Sequence, residues 1–278
     1  MGKNSDKVLE MDVKNGEKIT IKRIELDFWR TDLHGKEIGI HQKAQQRAKS
    51  RQFSKDMDLY GAVKIGKEDA GNIGFRTTEW EKDAVANGQL KRLIIRYFSV
   101  SENWVASLEE DTINGLMRSV AHKEELPVFN LFHRGNPNIF TLERVEREFG
   151  QMARAVVSLI LEKNGKTVEF FMFDEKRATL GSDWKVYRPN KKKPLLAELD
   201  SKKFNIGGKL IITVYDPVLA ENKIFIHTLI LFGALLKFWN EVNHDLKEAF
   251  KKFNKEGFIF QPNRAELDLL KNPRRYTR

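Results

Sequence analysis

The sequence predicts an α+β fold, in which a mostly antiparallel β-sheet closes into a barrel-like core around a hydrophobic helix, with further helices at the periphery. Short strand-like segments follow one another with turn residues between them, which is typical of a meandering sheet that closes or packs on itself. Towards the C-terminal end, a helical segment is apolar on nearly every side, and such a helix must be surrounded by protein. A closed barrel is one structure that can bury it.

The first half of the chain is predicted to hold three strands, since apolar and β-branched residues recur in it at residues 19–29, 57–65 and 90–100. Residues 43–55 are polar and basic and fit a helix or a mobile loop. Residues 141–152 favour a helix, and residues 104–116 are compatible with either a strand or a helix.

Four Asn-Gly pairs are interpreted as turns, because both residues tolerate a positive φ in a type I′ turn. They begin at Asn15, Asn87, Asn114 and Asn164. The last pair joins two apolar segments, 156–162 and 166–173, and so predicts a β-hairpin. Further short strands are predicted beyond it, at residues 184–188, 195–199, 204–206 and 210–215.

A long helix-compatible pattern covers residues 218–253. Within it, residues 224–239 are apolar nearly throughout, but a membrane span needs about 20 such residues. We therefore expect a helix buried in the protein core rather than in a membrane. Residues 243–253 continue as an amphipathic helix with three apolar residues on one side, Leu246, Phe250 and Phe253.

No internal repeat and no linker rich in Pro, Gly or Ser divides the chain, so we expect a single domain over residues 1–278. Residues 1–16 are interpreted as a flexible N-terminal segment. Residues 240–278 are interpreted as a helical, basic C-terminal extension that includes a short helix at 264–270. The first 18 residues are polar and charged, unlike a secretory signal, and a cytoplasmic location is the expectation.

Composition excludes several classes of site. The chain contains no Cys, which excludes disulfide scaffolds, thiolate zinc sites, iron–sulfur clusters and a Cys nucleophile. A hydrophobic content of 41% is enough to form a core. No glycine-rich phosphate loop, dinucleotide-binding motif or nucleophile elbow is present.

Six histidines are scattered through the sequence, and no two have the i, i+4 spacing of a helical metal site. We interpret them as surface or satisfied core residues. His227 falls inside the apolar helix, where an uncharged, hydrogen-bonded imidazole is expected.

Acidic residues cluster at two places and are interpreted as solvated faces, the second on a helix with local ion pairs. These clusters are Glu109-Glu110-Asp111 and Glu143/Glu146/Glu148. The sequence therefore predicts no catalytic residue, no metal site and no cofactor, which favours a non-enzymatic protein.

Positive charge, in contrast, is concentrated. The chain carries 49 Lys+Arg against 39 Asp+Glu, a net charge of +10, and three basic segments together hold more than that net charge. Local basicity is the electrostatic signature of a polyanionic partner. The candidate polyanion-binding residues are Lys191, Lys192, Lys193, Lys202, Lys203, Arg188, Lys43, Arg47, Lys49, Arg51, Arg274 and Arg275.

Four sequence features occur in order between residues 167 and 239: the strand Val-Glu-Phe-Phe-Met-Phe-Asp at 168–174, the strand and basic turn at 194–203, Gly-Gly-Lys followed by a strand at 207–216, and the apolar run at 226–239. This quarter of the chain resembles the tubby-like superfamily, which includes tubby C-terminal domains, LURP-one-related proteins and phospholipid scramblases. The resemblance implies a closed β-barrel threaded by a hydrophobic helix. It also implies a binding protein that contacts phosphoinositides or other anionic lipids at a basic patch.

Three functions are open at this point. The first is a non-enzymatic barrel protein that contacts anionic phospholipid head groups, or a protein partner or second copy, through its basic surface. The second is a largely sequence-independent nucleic-acid-binding protein of viral or plasmid type, whose lysines contact phosphates of single strands or duplexes. The third is a nuclease-type enzyme.

Overall fold

Twelve antiparallel strands form a closed barrel in the computed structural model. The structure describes residues 20–28, 59–76, 80, 91–146, 153–161, 167–176, 183–189, 194–201, 209–257 and 266–267. The strands are β1 (Lys22–Phe28), β2 (Leu59–Ile65), β3 (Glu68–Phe75), β4 (Ile94–Ser99), β5 (Trp104–Glu110), β6 (Val128–His133), β7 (Phe140–Arg144), β8 (Arg154–Leu161), β9 (Thr167–Glu175), β10 (Trp184–Tyr187), β11 (Leu195–Asp200) and β12 (Lys209–Val214).

Each strand pairs with the strands before and after it in the chain, and β1 pairs with β12 to close the barrel. In that closing pair Lys22 lies opposite Val214 and Leu26 lies opposite Leu210. Closure leaves no strand edge unpaired, which removes the tendency of an open sheet to recruit another chain. The predicted barrel and the predicted β8–β9 hairpin are confirmed.

A helix of 13 residues, α3 (Lys223–Leu235), runs through the barrel, following α2 (Pro217–Ala220), a single turn. Every residue of α3 except Lys223 and His227 is buried. A Cβ on Gly233 would lie 2.7 Å from Leu26 and 2.8 Å from Leu210, so glycine is what allows the helix to approach β1 and β12. The predicted buried apolar helix is confirmed.

The two ends of the barrel are named by the direction of α3. At the upper rim, where α3 begins, lie the connections β2–β3, β4–β5, β6–β7, β8–β9 and β10–β11, together with the chain from β12 to α3. The lower rim is the opposite end. It carries α1 (Thr112–His122), between β5 and β6, and α4 (Trp239–Glu256), which follows α3.

At the lower rim, α1 and α4 pack against each other through a small apolar cluster. Leu116 of α1 meets Leu246 and Ala249 of α4, with Phe250 packed alongside. This cluster lies on the apolar side predicted for residues 243–253. The helix predicted over 218–253 is divided into α2, α3 and α4, because Asn222 caps a new helix start and the chain turns between Leu235 and Trp239.

Two predictions for the first half of the chain are wrong. Residues 140–144 form strand β7 instead of a helix, because buried Phe140 and Leu142 alternate with more exposed neighbours, which is the period of a strand. Asn114-Gly115 lies within α1 instead of in a turn, because the Asp111 side chain accepts a hydrogen bond from the Asn114 backbone N–H and starts the helix there. The ambiguous segment 104–116 contains both β5 and the start of α1.

Several predicted elements lie outside the described residues. They include the segments 1–16, 43–55 and 204–206, most of 264–270, and the Asn-Gly turns at Asn15, Asn87 and Asn164.

Candidate functional site

The interior of the barrel is packed by α3 along the helix length. The Phe225 ring lies 5.0 Å from that of Phe171, and the Phe232 ring lies 4.4 Å from Phe173 and 5.1 Å from Trp184. Polar groups that could act on other molecules are therefore concentrated at the two rims and on the outer surface, and each rim is described in turn.

Just inside the upper rim, two histidines meet in the barrel lumen. His133 is the last residue of β6 and points inward with Phe129 and Leu131, so it is 2% exposed. His227 lies on α3, and the two imidazole rings are nearly parallel with their centroids 5.9 Å apart. Neither ring nitrogen of His133 has a hydrogen-bond partner among the described residues.

Aromatic side chains surround this pair. The Tyr97 ring lies 5.5 Å from that of His227, and its hydroxyl donates a hydrogen bond of 2.8 Å to the Ala70 carbonyl. The Phe140 ring lies 5.7 Å from that of His133. The imidazoles thus occupy an apolar environment that favours their neutral form.

The pKa values of the pair reflect that environment. Burial, the larger cause, and repulsion from His227 together lower the pKa of His133 to about 3. Burial likewise lowers the pKa of His227 to about 4, helped by the positive charge of Lys223. Both imidazoles are therefore neutral at pH 7, as expected for His227.

At the lower rim, in contrast, a fully buried arginine sits among carboxylates. Arg92 is 1% exposed, and its Nε donates a hydrogen bond of 2.9 Å to the carbonyl of Glu110. Its Nη2 donates to the carboxylate of Glu109 at 3.0 Å. The Glu110 carboxylate accepts from the backbone N–H of Leu93 at 2.9 Å. Only Nη1 of Arg92 has no hydrogen-bond partner.

A residue from the C-terminal extension completes this network. Glu266, 1% exposed, accepts hydrogen bonds from the Thr112 hydroxyl at 2.6 Å and from the Ile113 backbone N–H at 3.1 Å. Its carboxylate also lies 3.9 Å from Arg92 Nε. The first turn of α1 has N–H groups without intrahelical partners, so a carboxylate is favourable there. Glu266 therefore anchors the C-terminal extension to the barrel.

Burial raises the pKa of Glu110 to about 8; the Leu93 hydrogen bond works against this shift, and the charge of Glu266 adds to it. Burial also raises the pKa of Glu266, opposed by its hydrogen bonds to Thr112 and Ile113. The Glu110 carboxyl is therefore mostly protonated at pH 7 in the folded protein.

The interpretation of the acidic clusters as solvated faces is wrong for the first of them. Glu109, Glu110 and Asp111 are at most 7% exposed, because Arg92 and backbone N–H groups supply the partners that water would otherwise provide. Of the second cluster, Glu143 pairs with Arg118 and Glu146 with His122 in partly exposed ion pairs, but Glu143 belongs to a strand.

Large apolar side chains are exposed mainly at the upper rim. On the outside of β9, Val168 is 63% exposed and Phe170 is 41% exposed. Of six exposed large hydrophobic residues in the described part of the chain, Met117 on α1 is the one at the lower rim. The upper-rim residues are Ile21, Val100, Val168, Phe170 and Val218.

Of the twelve predicted polyanion-binding residues, the structure describes Arg188. Its Nε donates to Glu169 at 2.8 Å and its Nη1 donates to Asp216 at 3.2 Å. A phosphate would have to compete with both carboxylates for this guanidinium. The other eleven residues lie outside the described ranges.

The described residues on either side of the lysine-containing connections show from which rim each connection starts. Pro189 and Pro194, on either side of residues 190–193, lie at the upper rim, whereas Ser201 and Lys209, on either side of 202–208, lie at the lower rim. The connection that contains Lys43, Arg47, Lys49 and Arg51 also starts and ends at the lower rim. β11 has six residues, so the two rims are about 20 Å apart along it. The connection that contains Lys191, Lys192 and Lys193 therefore starts from the upper rim, and the other two connections start from the lower rim.

A cleft of about 340 Å³ lies along β1 and its two neighbouring strands. Its charged lining residues are Glu25, Asp27, Lys64 and Lys209, and Oδ1 of Asp27 has no hydrogen-bond partner. Two carboxylates oppose two ammonium groups, so the lining shows no preference for a polyanion.

Within the described ranges, no group of three or more His, Asp or Glu side chains could hold a metal ion. In the same ranges no single helix has the length and hydropathy of a membrane span; α3 and α4 reach them together, but are bent by 67° at the break between them.

Sequence reasoning missed the two buried constellations. β-strand alternation places His133 on the same side as Phe129 and Leu131, and His227 lies in an apolar helix, so both could have been predicted to point inward. Their contact depends on the register of α3 in the barrel. No known protein-family model matches the chain, and no curated protein or solved structure matches it either.

Proposed function

We propose that this chain is a non-enzymatic barrel protein of the tubby-like type, which docks on anionic phospholipid membranes with its upper rim. The observation that carries the proposal is that five of the six exposed large apolar side chains of the described chain lie at that rim. Two of them, Val168 and Phe170, lie on the strand next to β10, where the connection with Lys191, Lys192 and Lys193 starts. A bilayer surface combines anionic head groups with an apolar interior. In this proposal the exposed apolar side chains of the rim meet the interior, and Lys191, Lys192 and Lys193 meet the head groups.

The architecture supports the tubby-like part of the proposal. The resemblance implied a closed barrel threaded by a hydrophobic helix, and the chain has twelve antiparallel strands closed around α3. A fold alone does not determine a function, so the proposal of a lipid partner is supported by the residues of the upper rim and not by the fold.

The apolar and basic features of the upper rim belong to neighbouring strands. Val168 and Phe170 project from β9, which pairs with β10, and the lysine connection starts where β10 ends. Each lysine close to an anionic membrane contributes about 1 kcal/mol. Partial burial of Val168 and Phe170 would add to this, since full burial of such a side chain contributes about 1.5–3 kcal/mol.

The exposed apolar side chains favour a membrane over nucleic acid. Contact with a phosphate backbone is electrostatic and uses Lys and Arg. Single-strand binders add aromatic stacking platforms, and Phe170 is the one aromatic residue among the exposed apolar residues of the upper rim.

A vesicle co-sedimentation experiment tests this proposal with a charge-matched control. The test variant replaces Lys191 and Lys192 by Ser, and the control replaces Lys202 and Lys203 by Ser, which removes the same charge from the connection that starts at the lower rim. Vesicles of phosphatidylcholine alone are compared with vesicles that also contain phosphatidylserine or a phosphoinositide.

We expect the wild type to bind the anionic vesicles, and the upper-rim variant to lose roughly tenfold or more in affinity by the contribution per lysine given above. The control variant should lose clearly less. Equal losses in both variants, or no binding of wild type to anionic vesicles, would refute the proposal. Binding of single- or double-stranded oligonucleotides in place of vesicles would assign the lysines to nucleic acid.

A further inference from the structure

We propose that the His133–His227 pair is an acid-sensitive switch inside the barrel: in its neutral form it holds the first turns of α3 in the upper part of the lumen, and on protonation it releases them. The inference is independent of membrane docking, because it concerns the stability of the barrel itself.

The location of the pair is the first support. His133 is contributed by the barrel wall and His227 by the helix inside it, so their contact lies on the surface between α3 and its surroundings. A change of charge at this contact therefore acts on the seating of the helix. At the other end of α3, the contacts are apolar, with Phe232 against Phe173 and Trp184.

Among the described residues, the groups that face the pair include no carboxylate that could balance a positive charge. β4 contributes Tyr97, whose pKa burial raises to about 12, and β7 contributes the Phe140 ring. β5 contributes Ala106 opposite His133. Lys223 on α3 is the one charged side chain of the described chain that acts on His227, and it is positive.

Protonation of either imidazole consequently places a cation among aromatic rings, next to the other imidazole and within the influence of the positive charge of Lys223. Buried charges without a partner are strongly unfavourable, and the cation is relieved if it reaches water. His227 is already the less buried of the two and lies in the second turn of α3. Movement of the helix start toward the upper rim would hydrate both rings.

The pH range follows from the shifts of both groups. Their pKa values are lowered in the folded protein, to about 3 and about 4, whereas an unfolded histidine titrates near 6.5. The unfolded state therefore binds more protons below pH 6.5, and stability is complete above that pH and falls as the pH decreases toward 4. From pH 7 to pH 5 each imidazole should raise the unfolding equilibrium constant roughly twentyfold, or several hundredfold for the pair.

The first test measures denaturant unfolding of the full chain between pH 7 and pH 5. It compares the wild type with the double variant His133→Phe/His227→Phe, which keeps an aromatic contact, and with His122→Gln/His244→Gln, which removes two exposed histidines. We expect the double Phe variant to lose most of the acid sensitivity and the control to behave as the wild type. The same pH dependence in all three proteins would overturn the proposal.

A second test needs no core substitution. Imidazole NMR signals of the wild type should show His133 and His227 neutral at pH 5. Hydrogen exchange, corrected for its intrinsic pH dependence, should increase first at residues 223–229 and later at 230–235 as the pH falls. Titration of His133 near pH 6.5 in the folded protein, or equal exchange along α3, would contradict the switch.

Discussion

The upper and lower rims of this barrel bury their ionisable groups in opposite ways. At the lower rim, Arg92 lies among carboxylates and backbone groups that bond it on several sides, and Glu266 anchors the C-terminal extension there. At the upper rim, His133 and His227 meet, and in the described part of the chain no carboxylate acts on either imidazole. The buried charged groups of the lower rim are therefore paired, which stabilises that end of the barrel. The upper rim combines exposed apolar residues with the His133–His227 contact, which acid weakens.

The two rims share one core, and disruption of that core should affect both. Leu231→Lys in the middle of α3 would bury an unpaired charge in the hydrophobic core and cost several kcal/mol, enough to threaten a marginally stable fold. Val168→Lys makes the same change on an exposed strand position and should alter stability by less than about 0.5 kcal/mol. Thermal unfolding compares the two variants. Unchanged melting of Leu231→Lys would mean that α3 is peripheral.

The stability of the lower rim depends on Arg92. Arg92→Met would leave the buried Glu109 carboxylate with the more distant Arg96, at 3.9 Å, in place of its 3.0 Å hydrogen bond to Arg92, and should destabilise the protein by about 3 kcal/mol. Arg23→Met removes an exposed arginine paired with Glu25, where about 0–1 kcal/mol is expected. Urea unfolding at pH 7 measures both. If both variants lost only about 0–1 kcal/mol of unfolding free energy, the buried network around Arg92 would contribute little to stability.

The rims should also respond to pH with opposite signs. Because the pKa of Glu110 is raised to about 8 when folded, its contribution to stability is complete below pH 4.5 and is lost as the pH rises through 8. Glu110→Gln resembles the protonated form and should remove this loss, which amounts at most to about a tenfold change in the unfolding constant per pH unit. Unfolding curves of the wild type and of Glu110→Gln at pH 5, 7 and 8.5 measure this pH-dependent loss of stability. A variant that loses stability as steeply with rising pH as the wild type would contradict the assignment.

The smallest effect on stability is expected from the exposed apolar residues. Val168→Ser/Phe170→Ser should change the free energy of unfolding by less than about 0.5 kcal/mol per site. Its affinity for anionic vesicles should nevertheless fall roughly tenfold, since partial insertion of these side chains would be lost. Met117→Ser, which alters an exposed residue at the lower rim, is the matched control. Equal vesicle binding by the wild type, the double variant and the control would show that Val168 and Phe170 do not belong to the docking surface.

Much of the fold could be predicted from the sequence, because local pattern and burial agree there. The apolar run that became α3 and the paired strands β8 and β9 are examples. β7 was missed because Glu143 and Glu146, three residues apart, resemble a solvated helix face, although both contact side chains of α1.

The polar constellations were harder to predict because they are assembled by strand register and chain closure. Glu109 was assigned to solvent, since a sequence does not show that Arg92 faces it. Glu266 reaches Thr112 across 154 positions. The sequence left open whether the connections at 190–193 and 202–208 start from the same end of the sheet, and the strand order shows that they start from opposite rims.

Hydrogen exchange of the full chain with and without anionic vesicles at pH 7 tests the central claim most directly, namely that the upper rim is the functional end. The account predicts slower exchange at upper-rim residues of the described chain, around Val100, Val168 and Val218, and unchanged exchange in α1 and α4. Protection of α1 and α4 instead, or protection at neither rim while the protein is bound to vesicles, would contradict it.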